Sequence, residues 1–145
     1  MARSEKKKVP QQALNRPNEK KVKIPQRKTA LRVSWRFSTV DRKGPFAWPK
    51  GQKKELKILS KLYDFDCCKW QEIEGKNHHY LSQESLSKEA LKRLKETQKD
   101  DQVENLFSFH LNGKERIVAV RYLNVANLLW YDPNHQVSPS TKRHT

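Results

Sequence analysis

Arg116, Tyr131 and His135 are the residues of this 145-residue chain whose types and spacing could together do chemistry. Arg116 follows Asn112-Gly113, the strongest short signal for a β-hairpin. Tyr131 and His135 flank Asp132-Pro133-Asn134, where a strand must stop. If one strand runs down from the hairpin and the next runs back up, Lys114 and Arg116 emerge at the same end as Tyr131 and His135. There an arginine could grip a phosphate and a histidine, titrating near neutrality, could handle a proton. Cleaving RNA without a metal needs little more. The 2′-hydroxyl attacks the adjacent phosphorus, cations stabilise the added negative charge, and an acid protonates the leaving 5′-oxygen. Arg121 and Lys114 join the cluster as phosphate-binding cations. Each residue also has a plainer reading: the arginines as a solvated basic face, Tyr131 as strand-end packing, His135 as a turn cap.

Other chemistries find less support. His78, His79, His110 and His135 lack the i, i+3 or i, i+4 spacing of zinc ligands, and no Cys-x-x-Cys accompanies them. Neither a Gly-x-Ser-x-Gly elbow nor a pair of carboxylates on adjacent strand ends is present. No metal or cofactor is expected. Cys67 and Cys68 are neighbours and form no disulfide framework, which points to a reducing, cytoplasmic location.

The elements that would hold the cluster are legible in the periodicity. Leu106–Val137 reads as a three-strand antiparallel meander. Phe107, Phe109 and Leu111 alternate with polar residues, Lys114–Tyr122 returns, Leu123-Asn124 turns, and Val125–Tyr131 closes. Upstream, Val33, Trp35 and Phe37 alternate as a half-buried strand that ends at the breakers Gly44-Pro45. A helix is expected over Gln52–Tyr63, with Leu56, Leu59 and Tyr63 (beside Ile58 and Leu62) as its apolar stripe. Asp64–Asn77 is ambiguous, and Gly75–His79 reads as a loop. Ser82 or Ser85 caps a second helix to about Thr97, which buries Leu86, Ala90 and Leu94. The order β-α-α-β-β-β predicts an α+β domain: a small antiparallel or mixed sheet with both helices on one face and the other face left to solvent or a ligand.

Charge sets the expected partner. The net charge is +15, and the first 32 residues hold 11 Lys/Arg against 2 Glu. Lys6, Lys7, Lys8, Lys20, Lys21, Arg27 and Lys28, interrupted by prolines, read as a disordered basic arm that adds salt-sensitive phosphate affinity. The remaining residues still carry an excess of cations, so a polyanion, RNA first, is the natural partner. No run of about 18 apolar residues suggests a membrane span, and the basic N-terminus lacks the apolar run of a signal peptide. The expected organisation is an arm over 1–32, one domain over 33–137 and a flexible tail over 138–145.

The element order, the turn into a strand at Gly113-Lys114-Glu115-Arg116-Ile117 and the short last strand resemble the RelE/YoeB/HigB toxins of bacterial toxin–antitoxin systems. The resemblance spans roughly residues 33–137. It implies a small twisted sheet with two helices on one face and a basic, metal-independent endoribonuclease that cuts mRNA on the ribosome. An acidic antitoxin protein would neutralise it. Arg116 then falls where such toxins place a phosphate-stabilising arginine, and Tyr131 or His135 near their C-terminal catalytic group. Asp132-Pro133-Asn134 and the Gly44–Gly51 link depart from the pattern. Two other classes fit the composition: a non-catalytic nucleic-acid- or ribosome-binding module, and an adaptor held by an uncovered sheet face.

Overall fold

The computed structural model describes residues 31–139. Lys6, Lys7, Lys8, Lys20, Lys21, Arg27 and Lys28 lie outside the described residues, as does most of the expected tail. The domain begins before residue 33. The Leu31 carbonyl accepts from Trp70 N at 3.0 Å, and Arg32 forms a bridge with Lys69. At the other end, Ser138 Oγ lies 2.6 Å from Ser85 Oγ.

Strand β1 is Ser34–Arg36, helix α1 is Gln52–Asp66 and the short helix α2 is Trp70–Ile73. Strand β2, only His79–Tyr80, occupies the end of the expected loop. Helix α3 is Lys88–Glu96, and the meander is β3 (Leu106–His110), β4 (Arg116–Tyr122) and β5 (Val125–Asp132). The sheet order is β1-β5-β4-β3-β2, with β1 parallel to β5 and every other pair antiparallel. The fold is therefore α+β with a five-stranded mixed sheet. The first hairpin turns at Gly113, φ 51°. The second turns at Leu123, φ 57°, an unusual conformation for a branched residue. The Arg121 side chain steadies it by donating Nε to the Leu123 carbonyl at 3.2 Å.

The helices do not share a face. α1 and α2 bring Ile58, Leu62, Trp70 and Ile73 against Phe107, Phe109, Ile117, Ala119, Leu128 and Tyr131. α3 brings Ala90 and Leu94 against Leu106, Val118, Leu129 and Trp130. Since successive strand residues point to opposite faces, these two cores lie on opposite sides of the sheet. The expectation of two helices on one face is thus corrected. The physical reason is that the meander is apolar on both faces: Leu106 and Val118 need cover as much as Phe107 and Ile117 do, and α3 supplies it.

Local details differ for similar reasons. Ser87, not Ser82 or Ser85, caps α3, its Oγ accepting from Ala90 N at 3.2 Å. Ser85 belongs instead to a 3-10 turn over Gln83–Ser85. On α1 the buried pair is Ile58 and Leu62, while Leu56 and Tyr63 stay exposed. Phe37 lies past the end of β1 and is exposed too. The link after β1 runs along the outer edge of β5: Asp41 N donates to the Leu129 carbonyl and Tyr131 N to the Phe46 carbonyl. Phe46 and Trp48 are buried on opposite faces.

One irregularity decides where side chains point. Val118 pairs with Trp130 but Ala119 pairs with Leu128, so Leu129 is an extra residue in β5. Such a bulge breaks the alternation and re-aims the rest of the strand. Leu129 and Trp130 both join the α3 core, Tyr131 returns to the α1 face, and Asp132 faces the α3 side.

Candidate functional site

At the hairpin end of the sheet, α3 does not reach far enough to cover its face. A cavity of ≈ 220 Å³ opens there, with Leu81, Val118 and Val137 among its lining. Its polar lining is concentrated: Lys76, His79, Ser108, His110, Arg116, Asp132, His135 and Ser138. The register explains the convergence. His110 pairs with Arg116 and Arg116 with Asp132, so three polar side chains form one row across β3, β4 and β5. His79 pairs with Ser108 in the adjacent row.

Asp132 brings His135 over this row. It is 1 % exposed, and its Oδ1 and Oδ2 accept from Gln136 N and Val137 N, both at 2.8 Å. Those bonds fold the chain back after Pro133 and place His135 in the left-handed region, φ 57°. Burial, reinforced by the Arg116 guanidinium, holds His135 below its ordinary value of 6.5 against an opposing pull from Asp132. A ring so placed is neutral at neutral pH and able to accept a proton.

Arg116 Nη1 donates to the Gly113 carbonyl at 2.8 Å and to the Glu115 carbonyl at 3.1 Å. These bonds anchor one corner of a planar fork of donors whose side chain lines the cavity. His110 Nε2 lies 3.0 Å from the Gly113 carbonyl, and His79 Nδ1 lies 2.8 Å from the Tyr80 carbonyl. His78 lies behind the wall, edge-on to Phe65, and its Nδ1 accepts from His110 N at 3.0 Å. Burial, then the nearby His110, keeps His78 below its ordinary value, which suits that acceptor role. No group of three or more His, Cys, Asp or Glu among the described residues is placed to hold a metal ion.

The structure brings together two of the three residues expected to do chemistry, Arg116 and His135. Tyr131 reaches the same end of the sheet but, because of the bulge, the wrong face. It is buried in the α1 core and donates its hydroxyl to Glu115 Oε2 at 2.6 Å. Burial first, and then that carboxylate, push its pKa up to about 12. Tyr131→Phe is therefore expected to cost about 1.5–3 kcal/mol of stability, the range for a hydrogen bond to a charged group. Denaturant or thermal melts of the variant beside the wild type check it.

Arg121 is corrected as well. It is 1 % exposed, pairs through Nη1 with Glu74, and lies 3.9 Å from the centre of the Trp70 ring. A guanidinium in that position braces the α2 side of the core and is out of reach of phosphate. Lys114 is exposed on the hairpin and does not line the cavity.

The sequence pattern left Asp132 unmarked and gave His79 and His110 no role in this cluster. His110 alternates with the core residue Phe109, so its face was legible. What was missing was that residues 76–81 and the C-terminal segment wall that face in. A two-residue strand such as β2 has no periodicity to find, and an Asp before Pro reads only as a turn.

Compared with models of known protein families, with curated proteins and with solved structures, the chain matches none. Among the described residues no helix is long and apolar enough to cross a membrane.

Proposed function

We propose that this cavity binds a ribose–phosphate unit of RNA and cleaves it, as in a RelE-like, metal-independent mRNA endoribonuclease toxin that acts on the ribosome and is held in check by an acidic antitoxin. The observation that carries the proposal is the His110–Arg116–Asp132 row with His135 folded over it. Neutral His135 takes the proton of the 2′-hydroxyl. The 2′-oxygen bonds to phosphorus, Arg116 stabilises the added charge on the phosphoryl oxygens, and the bond to the 5′-oxygen breaks. His110 or His79 supplies the proton that the leaving oxygen needs. Asp132 touches no reacting atom in this scheme; its bonds to Gln136 N and Val137 N make it a positioning residue.

Product analysis tests the scheme directly. Ribosome-bound mRNA incubated with the full chain is expected to yield fragments ending in 2′,3′-cyclic phosphate and beginning with a 5′-hydroxyl. Fragments with 5′-phosphate ends would refute attack by the 2′-hydroxyl. Intact RNA that is nonetheless bound, and bound less well after Arg116→Ala, would leave the protein a non-catalytic RNA- or ribosome-binding module.

A further inference from the structure

Helix α1 carries a row of cations that the proposed chemistry does not use. Lys53, Lys57 and Lys61 recur every four residues, about 6 Å apart along the axis, and Lys54 lies beside them. Lys53, Lys54 and Lys57 are exposed and Lys61 is half-buried. The buried residues of the helix, Ile58 and Leu62, occupy another side.

The row lies across the sheet from the cavity and meets it at the shared hairpin end. Lys57 Nζ lies 3.2 Å from Glu115 Oε2, next to Arg116, and Lys54 also acts on that carboxylate. Lys61 and Arg116 both act on His78, whose ring holds the His110 backbone. Lys114 stands exposed on the same hairpin. Two of the three acids of α1 lie aside. Asp66 accepts from Trp35 Nε1 at 3.2 Å, on the β1 side, and Glu55, three helical turns earlier, shares that side. Asp64 marks the far end of the row. The cavity lining has no Phe, Tyr or Trp on which a base could stack.

We infer that the α1 row is a docking ridge for the sugar–phosphate backbone of the RNA segment flanking the nucleotide in the cavity. The inference rests on the RNA reading above and deepens it: the strand is gripped by charge and not by base identity. Lysine suits this task, since a compact ammonium accepts many phosphate geometries.

The test uses the full chain and a 2′-O-methyl RNA strand, which cannot be cleaved by its own 2′-oxygen. Affinity is measured between roughly 50 and 200 mM salt. The ridge variant Lys53→Glu/Lys54→Glu/Lys61→Glu leaves Lys57 and its Glu115 pair in place. The control Lys88→Glu/Lys92→Glu/Lys95→Glu makes the same change in net charge on α3, across the sheet. The ridge variant is expected to lose on the order of tenfold in affinity, and its salt slope to fall by about 2, from three contacts at roughly 0.7 each. The control should lose far less. Equal losses in both variants, or no loss from the ridge, overturn the inference. So does a ridge variant that keeps its RNA affinity but no longer binds a poly-glutamate peptide, which would assign the ridge to an acidic protein. Because the strand is uncleavable, binding by the ridge alongside an inactive cavity would sink the catalytic reading and leave this one standing.

Discussion

On the proposed chemistry, His135→Asn is expected to slow RNA cleavage by about 10²–10⁴-fold, the usual contribution of a positioned acid or base, while leaving the melting temperature nearly unchanged. Asparagine is the informative replacement because it tolerates the left-handed backbone at φ 57°, whereas alanine there adds strain. The pH profile separates catalysis from structure. Only the neutral ring can take a proton, so the wild-type rate should fall as the pH drops through the His135 pKa, which burial and Arg116 hold below 6.5. The variant should lack that limb. Arg116→Ala should cost about 10²–10³-fold, as removal of a group facing developing charge does, and Arg116→Lys should restore little, since an ammonium cannot reproduce the fork. Single-turnover rates on ribosome-bound mRNA measure all three. Unchanged rates with a flat profile would remove both residues from the chemistry.

Asp41→Ala is expected to destabilise the fold by about 3–5 kcal/mol, the range for removing one partner of a buried ion pair. Arg93 grips Asp41 with Nε and Nη2, each at 2.8 Å, and the fully buried Trp130 donates Nε1 to it at 3.0 Å. One carboxylate therefore ties the link after β1 to α3 and to the bulged part of β5. Without it, a guanidinium and an indole N–H lose their acceptor inside the protein. Burial alone would raise the Asp41 pKa, but the bonds from Arg93, Lys43 and Trp130 outweigh it and hold the group below its ordinary 3.8. A depressed folded-state pKa means the stabilisation is complete above 3.8 and is lost as the pH falls through the lower value. Denaturant midpoints should then decline at acid pH in the wild type, and Asp41→Asn should flatten that decline. Identical acid limbs in both would show that Asp41 does not govern it.

The site's two halves differ in how far they could be read in advance. Asn112-Gly113 sets a hairpin by local chemistry, and with it the strand on which Arg116 must lie. The alternation of Phe107 and Phe109 with Ser108 and His110 likewise sets which β3 residues share a face. That His135 would lie near Arg116 came from simple strand reversal. The face each side chain takes did not. Tyr131 and Asp132 are neighbours separated by a bulge whose cause is the packing of Leu129 and Trp130 beneath α3, and no local signal marks an extra residue in a strand of apolar side chains.

Arg121 makes the same point for charge. In sequence it is one more cation of a basic protein, and only the approach of Glu74 and Trp70, each about fifty residues away, converts it into a buried brace. The chain by itself determined what is local: hairpin turns, strand alternation, the buried side of α3 and the overall excess of positive charge. The tertiary structure decided what depends on distant partners: which sheet face each helix covers, how β5 re-aims its last residues, and which cations remain at the surface. Periodicity reports on neighbours a few residues apart, while faces and cavities are settled by segments that meet only when the chain is packed.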